Sequence, residues 1–149
     1  MALTVRWLPV PPEAVFDVLS DGWLYASWVV GASQVRAVSP TWPKPGSKIH
    51  HSVGAWPLLI NDRTEVVEAD PPRRLVLRAH AWPAGAAIVE LRFDRDGTGT
   101  LVSMREYPVA GPARLLGRLL GPILHIRNVE SLKRLGYIAE GRIQRPQRA

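Results

Sequence analysis

His50-His51, Glu106 and His125 are the side chains in this sequence best suited to move a proton or hold an ion. The histidine pair raises the question of a metal first. Adjacent strand residues point to opposite faces, so His50 and His51 cannot ligate one ion. The chain has no cysteine. Zinc would then need histidines and carboxylates converging from distant strands. No metal and no cofactor is expected. His51 alone is either a general acid/base, with a reference pKa of about 6.5, or a hydrogen-bonded wall residue. Glu106 is a carboxylate on an apolar strand face. Burial raises a carboxylate pKa unless a cation or donors hold the charge, so it is either a proton-transfer group or the partner of an arginine. His125 lies one turn before Val129 and two before Leu132. It either meets a bound molecule or hydrogen-bonds to the sheet. The candidate catalytic residues are therefore His51, Glu106 and His125.

These residues need elements to position them. Strand candidates run over residues 4–8, 33–38, 48–53, 62–70, 74–82, 86–93 and 100–107. Pro71-Pro72 and Asp96-Gly97 mark tight hairpin connections. Before them, Pro11-Pro12-Glu13 opens a first short helix, where proline is tolerated and a carboxylate complements the positive end. Ser20-Asp21-Gly22 stops it and caps a second short helix over about 21–27. Neither helix is stable alone. Phe16, Leu19, Leu24 and Trp28 need a larger partner. After Pro108 the period becomes helical. A short helix is expected over 112–120, broken at Gly121-Pro122. A long one follows from Pro122 to about Glu140, with Gly141 as its stop.

Strand parity orients the candidates. Val89, Leu91 and Phe93 share one face, with Glu90 and Arg92 on the other. Across the Asp96-Gly97 hairpin, Val102, Met104 and Glu106 face inward. Leu75 and Leu77 do the same, leaving Arg74, Arg78 and His80 outward. Ile49 and Val53 take His51 inward with them. A register slip of one residue would reverse any of these. Trp23 and Trp28 are expected to pack beneath the long helix. Trp7, Trp42, Trp56 and Trp82 lie near loops or strand ends, where an apolar ring and a polar N–H both find use. Trp56 and Trp82 could rim an entrance.

A length of 149 residues suits one domain with a real core. The formal charge is +6, of which the stretch 140–149, with three Arg and one Glu, contributes +2. The remaining cations alternate with acids, as on a solvated sheet face. That arrangement speaks against nucleic-acid binding. The N-terminus lacks a basic start followed by an apolar run, and with the lack of cysteine this points to the cytoplasm. The apolar stretch 115–126 is too short and too broken to span a bilayer, so no stable membrane insertion is expected. The amphipathic run with Arg114 and Arg118 reads as a lid or as the start of the closing helix.

One strand, two short helices, six strands and one long helix describe an α+β domain with a curved antiparallel sheet closed by the helix. Several runs carry a resemblance: residues 12–21 (PEAVFDVLSD) with Trp28, 68–75 (EADPPRRL), 99–102 (GTLV) and 127–135 (RNVESLKRL). Over residues 4–141 the chain resembles the helix-grip superfamily of START-like and Bet v 1-like (SRPBCC) proteins, and within it the polyketide cyclase/dehydrase-like branch. The chain reads as one domain over 1–141, and the arginine-rich remainder as a basic, disordered tail at 142–149. The resemblance implies a cavity between sheet and helix, which at roughly 300–1,000 Å³ would hold a hydrophobic small molecule. Its expected lining is Trp28, His51, Leu75, Leu77, Val89, Leu91, Val102, Met104, Glu106, His125 and Val129. It brings no shared catalytic residue. The reading that follows is a carrier or binding protein for a hydrophobic or aromatic, lipid- or polyketide-like molecule. Two alternatives stand beside it: a cyclase/dehydratase-type enzyme using His51, Glu106 or His125, and a homodimeric interaction module built on the sheet edge.

Overall fold

The computed structural model describes residues 2–54, 59–81 and 85–144. Trp56, Trp82 and residues 145–149 lie outside them, as does the side chain of Arg118. The elements are β1 (Ala2–Leu8), α1 (Pro12–Ser20), a single 3-10 turn at Gly22–Leu24, α2 (Tyr25–Trp28), β2 (Ala32–Val38), β3 (Lys48–Val53), β4 (Ile60–Asp70), β5 (Arg74–Ala81), β6 (Gly85–Asp96), β7 (Gly99–Ala110) and α3 (Ala113–Gln144). The described strands form one antiparallel sheet in the order β1-β7-β6-β5-β4-β3-β2. The fold is α+β and of the helix-grip type.

Local chemistry sets the entry to this fold. Pro11 is the N-cap of α1 and Pro12 follows in its first turn. Val15, Phe16, Val18 and Leu19 are buried from it. Asp21 ends the helix through its N–H to Val18 O, and its carboxylate accepts from the Trp23 N–H at 3.2 Å. The Trp42 indole N–H donates to Leu19 O at 2.9 Å, which ties the β2–β3 loop to α1. Trp28 is buried as expected, but Trp23 is 60% exposed. The 3-10 turn points Trp23 away from α3, so it does not pack beneath that helix.

The sheet carries the inward faces that strand alternation predicts. Val89, Leu91 and Phe93 of β6 are buried, and so are Val102, Met104 and Glu106 of β7. Leu75 and Leu77, Ile49 and His51 are also buried. Phe16 of α1 meets Phe93 edge to face at 5.9 Å. On the outer face Arg74 bridges Glu68 and Glu90, and Arg92 joins Glu90. Register shifts interrupt β2–β3, β4–β5 between Val66 and Glu68, and β6–β7 beside Ala86. Such bulges bend a sheet and increase its twist.

α3 departs from expectation. It is one helix of 32 residues with Pro122 inside it, not two helices broken at Gly121-Pro122. Proline there removes one helical N–H, and the turns on both sides stay helical. The helix also passes Gly141 and reaches Gln144. Its second half packs on the core through Leu132, Leu135 and Ala139, and a Cβ at Gly136 would stand 2.7 Å from Leu8 Cδ2. The first half does not close over the sheet: Leu115 is 89% exposed, and Leu119, Ile123 and Ile126 are also in solvent. No helix among the described residues is long and apolar enough to cross a membrane.

Candidate functional site

Three segments enclose a pocket of about 170 Å³. The inward faces of β3, β5, β6 and β7 supply Val53, Leu77, Ala79, Val89 and Met104. The α2–β2 connection adds Trp28 and residues 29–32, and α3 adds Arg127. Val30 N–H donates to Ser131 Oγ at 3.1 Å, which pins that connection to α3. The walls are apolar. Apart from His80, their polar side chains belong to two hydrogen-bonded sets.

The first set is a hydrogen-bonded chain. Tyr25 Oη lies 2.9 Å from Thr64 Oγ1, and Thr64 Oγ1 lies 3.0 Å from His51 Nε2. The Tyr25 and His51 rings sit 5.1 Å apart, and Trp28 packs edge-on against Tyr25 at 5.7 Å. Burial lowers the His51 pKa below its ordinary value; nearby Asp62 works against that shift, and Arg36 and His50 work with it. Burial raises the Tyr25 pKa, with the Thr64 hydrogen bond opposing. Both groups are accordingly neutral near pH 7. His51 Nδ1 is buried and has no hydrogen-bond partner among the described residues.

The second set is an ion pair. Both Glu106 oxygens accept from Arg127, and Asn128 Nδ2 donates to Glu106 Oε2 at 3.0 Å. Glu106 is 4% exposed and Asn128 fully buried. Of the two readings the sequence leaves open for Glu106, the geometry is that of the arginine partner. Both of its oxygens are engaged in charge-assisted hydrogen bonds.

Trp28, His51, Leu77, Val89, Met104 and Glu106 thus come together at the pocket. Leu75, Leu91 and Val102 do not line it. They share the inward face, but α1 and α3 pack directly over that end of the sheet and fill the space. His125 and Val129 are also elsewhere. The stripe of α3 that meets the sheet runs through Asn128, Ser131, Leu132 and Leu135. That rotates Val129 into partial exposure and leaves His125 Nδ1 on Thr4 Oγ1 of β1, at 3.2 Å. His80, expected outward, lines the pocket instead, and burial lowers its pKa. The pocket is also smaller than the 300–1,000 Å³ expected. Three contributors escape sequence reading: Tyr25, Thr64 and Arg127. Thr64 carries a usable signal, since it precedes Val66 by two residues on one strand face. Tyr25 and Arg127 carry none, because their placement depends on how a one-turn helix and α3 dock.

A larger, open depression of about 600 Å³ lies between α1 and the end of α3, beside Asp17, Asp21 and Arg142. It holds no unpartnered buried polar atom among the described residues, and it is not the candidate site. No group of three or more potential metal ligands is found among the described residues.

A family model described as polyketide cyclase / dehydrase and lipid transport matches residues 4–136. No curated protein matches the chain in sequence. Among solved structures it is similar to protein NE0264 from Nitrosomonas europaea, with a TM-score of 0.75, 17% identity and 95% of each chain covered. It is similar to CalU16 from Micromonospora echinospora, with a TM-score of 0.66, 16% identity, 96% of this chain and 78% of that chain. It is also similar to the di-domain ARO/CYC StfQ from the steffimycin biosynthetic pathway. The TM-score there is 0.74 at 11% identity, over 95% of this chain and 51% of that chain.

Proposed function

The chain belongs to the polyketide cyclase/dehydrase and lipid transport family, and on that premise we propose that it binds a compact hydrophobic or aromatic small molecule in the pocket beside Trp28 and His51. The observation that carries this reading is an apolar, partly enclosed cavity lined by Trp28 and by His51, whose buried Nδ1 has no hydrogen-bond partner among the described residues. Small-molecule sites have this character, with apolar walls and a few placed polar groups. The pocket volume is close to the ~150 Å³ of an engineered cavity that admits benzene. A single ring fits it; a long folded chain requires the pocket to open.

A carrier is favoured over an enzyme by the state of the Glu106 carboxylate. Acid–base catalysis needs a donor and an acceptor within reach of the reacting atoms. Glu106 is held by Arg127 and Asn128, and among the described residues no hydrogen bond joins it to His51. The cyclase/dehydratase reading draws on the ARO/CYC neighbour and on the neutral His51, and it requires proton transfer through the imidazole alone.

The test is a titration of ¹⁵N-labelled protein with ethylbenzene, followed by amide and indole shifts. The expected changes cluster at Trp28, Leu77, Val89 and Met104 and vanish in Val89→Trp, which fills the pocket. Scattered shifts that persist in that variant overturn the proposal. Native mass spectrometry of protein from its own cells then identifies the molecule retained.

A further inference from the structure

Thr64 stands between two rings, and its hydroxyl has one proton to give. Its oxygen is within hydrogen-bond distance of both Tyr25 Oη and His51 Nε2. Three proton arrangements are available. In the first, Tyr25 O–H donates to Thr64, and Thr64 O–H donates to His51 Nε2. In the second, His51 Nε2–H donates to Thr64, Thr64 donates to Tyr25, and the Tyr25 proton has no acceptor among the described residues. In the third, both rings donate to Thr64 and the threonine proton is stranded. The second and third each leave a buried hydroxyl proton unmade in addition to His51 Nδ1, and a buried unmade donor is costly. The first leaves only His51 Nδ1.

In the first arrangement Nε2 is an acceptor. A neutral imidazole then carries its proton on Nδ1. We infer that the Tyr25–Thr64–His51 chain locks His51 as the Nδ1–H tautomer and makes the pocket selective for compact apolar molecules that present an acceptor oxygen, such as an aryl ketone. This rests on the ligand-binding reading above. Two further observations agree with it. Arg127 Nε, the other unpartnered buried atom among the pocket-lining residues, is also an N–H donor. Glu106, the acceptor that could have served a donor-bearing ligand, is engaged by Arg127 and Asn128. Tyr25 stays protonated because burial raises its pKa, so the chain has its terminal donor at physiological pH.

The tautomer is read directly from the ring ¹⁵N shifts of His51 in the free protein at pH 7.5. The expected result is a protonated Nδ1 and an unprotonated Nε2, with the Nε2–H form gaining population in Thr64→Val. Acetophenone and ethylbenzene, which differ in the carbonyl, are then titrated against the wild type, Thr64→Val and His51→Phe. Both variants should weaken acetophenone about tenfold relative to ethylbenzene, the effect of one buried hydrogen bond. A wild-type Nε2–H tautomer overturns the inference without need of any variant. So does an unchanged acetophenone-to-ethylbenzene ratio in both variants. Failure of acetophenone alone to bind the wild type at millimolar concentration overturns the selectivity, whereas failure of both probes overturns the ligand-binding reading itself, whatever the tautomer.

Discussion

Glu106 of β7 and Arg127 of α3 are paired across the seam between sheet and helix, where the packed core gives way to the pocket. The Glu106 side chain is almost wholly buried, while the Arg127 side chain keeps about a third of its surface in solvent (34%). Asn128, buried beside it, contacts both partners. The pair anchors α3 at the point where its first half leaves the sheet.

Glu106→Gln keeps the shape and removes the charge. It should cost about 1.5–3 kcal/mol, the range for a hydrogen bond to a charged group. Urea denaturation measures the loss. In an Arg127→Met background the same substitution should cost much less, because the cation no longer needs a partner. Equal costs in both backgrounds would show that the pair contributes nothing as a pair.

Stability should fall as the pH drops below about 6.5. Burial lowers the His51 pKa in the folded protein, so in that window the unfolded chain binds more protons than the native one. The loss continues down to the lowered folded pKa and then stops. His80 is shifted in the same direction and adds to the slope. His51→Gln should flatten the curve of urea midpoint against pH between 6.5 and 5. An identical slope in that variant would assign the effect elsewhere.

Leu77→Ala should enlarge the pocket, because Leu77 lines it from β5. The expected cost is about 2–5 kcal/mol of stability, as for other buried leucines. The gain should be binding of a bicyclic probe such as naphthalene that the wild type excludes. Calorimetry on the two proteins checks both parts.

Gly85→Ala should destabilise more severely than its single added methyl group suggests. Gly85 has φ +120°, and a Cβ there would stand 1.8 Å from Ala110 O, a backbone atom that cannot swing aside. The cost should exceed ~1 kcal/mol. Gly97→Ala provides the contrast: its φ is +62° in the β6–β7 turn, but nothing lies within 4 Å of the added atom. Thermal unfolding should rank Gly85→Ala well below Gly97→Ala.

Much of the site's geometry could be read along single strands. Alternation places Val89, Leu91 and Phe93 inward, and the Asp96-Gly97 turn carries that parity across to Met104 and Glu106. The same alternation places His51. It fails where a position depends on a second element. His125 and Val129 share a plausible helical stripe, but helical spacing leaves the rotation of α3 free by one residue. Docking against Leu8 at Gly136 decides it. Pro122 reads as a break, yet one missing N–H does not end a helix whose neighbouring turns remain bonded.

From residue order alone come the antiparallel sheet, the two short helices and the inward sides of β3, β6 and β7, because turn chemistry and a period of two act between near neighbours. Only the tertiary structure decides which inward residues meet space and which meet other side chains. Leu91 and Val89 lie on one strand face, but α1 and α3 cover the first, while the second faces the gap beside α2. The meeting of Tyr25, Thr64 and His51 belongs to the same class, since three residues from a helix and two strands converge only when the sheet bends around them.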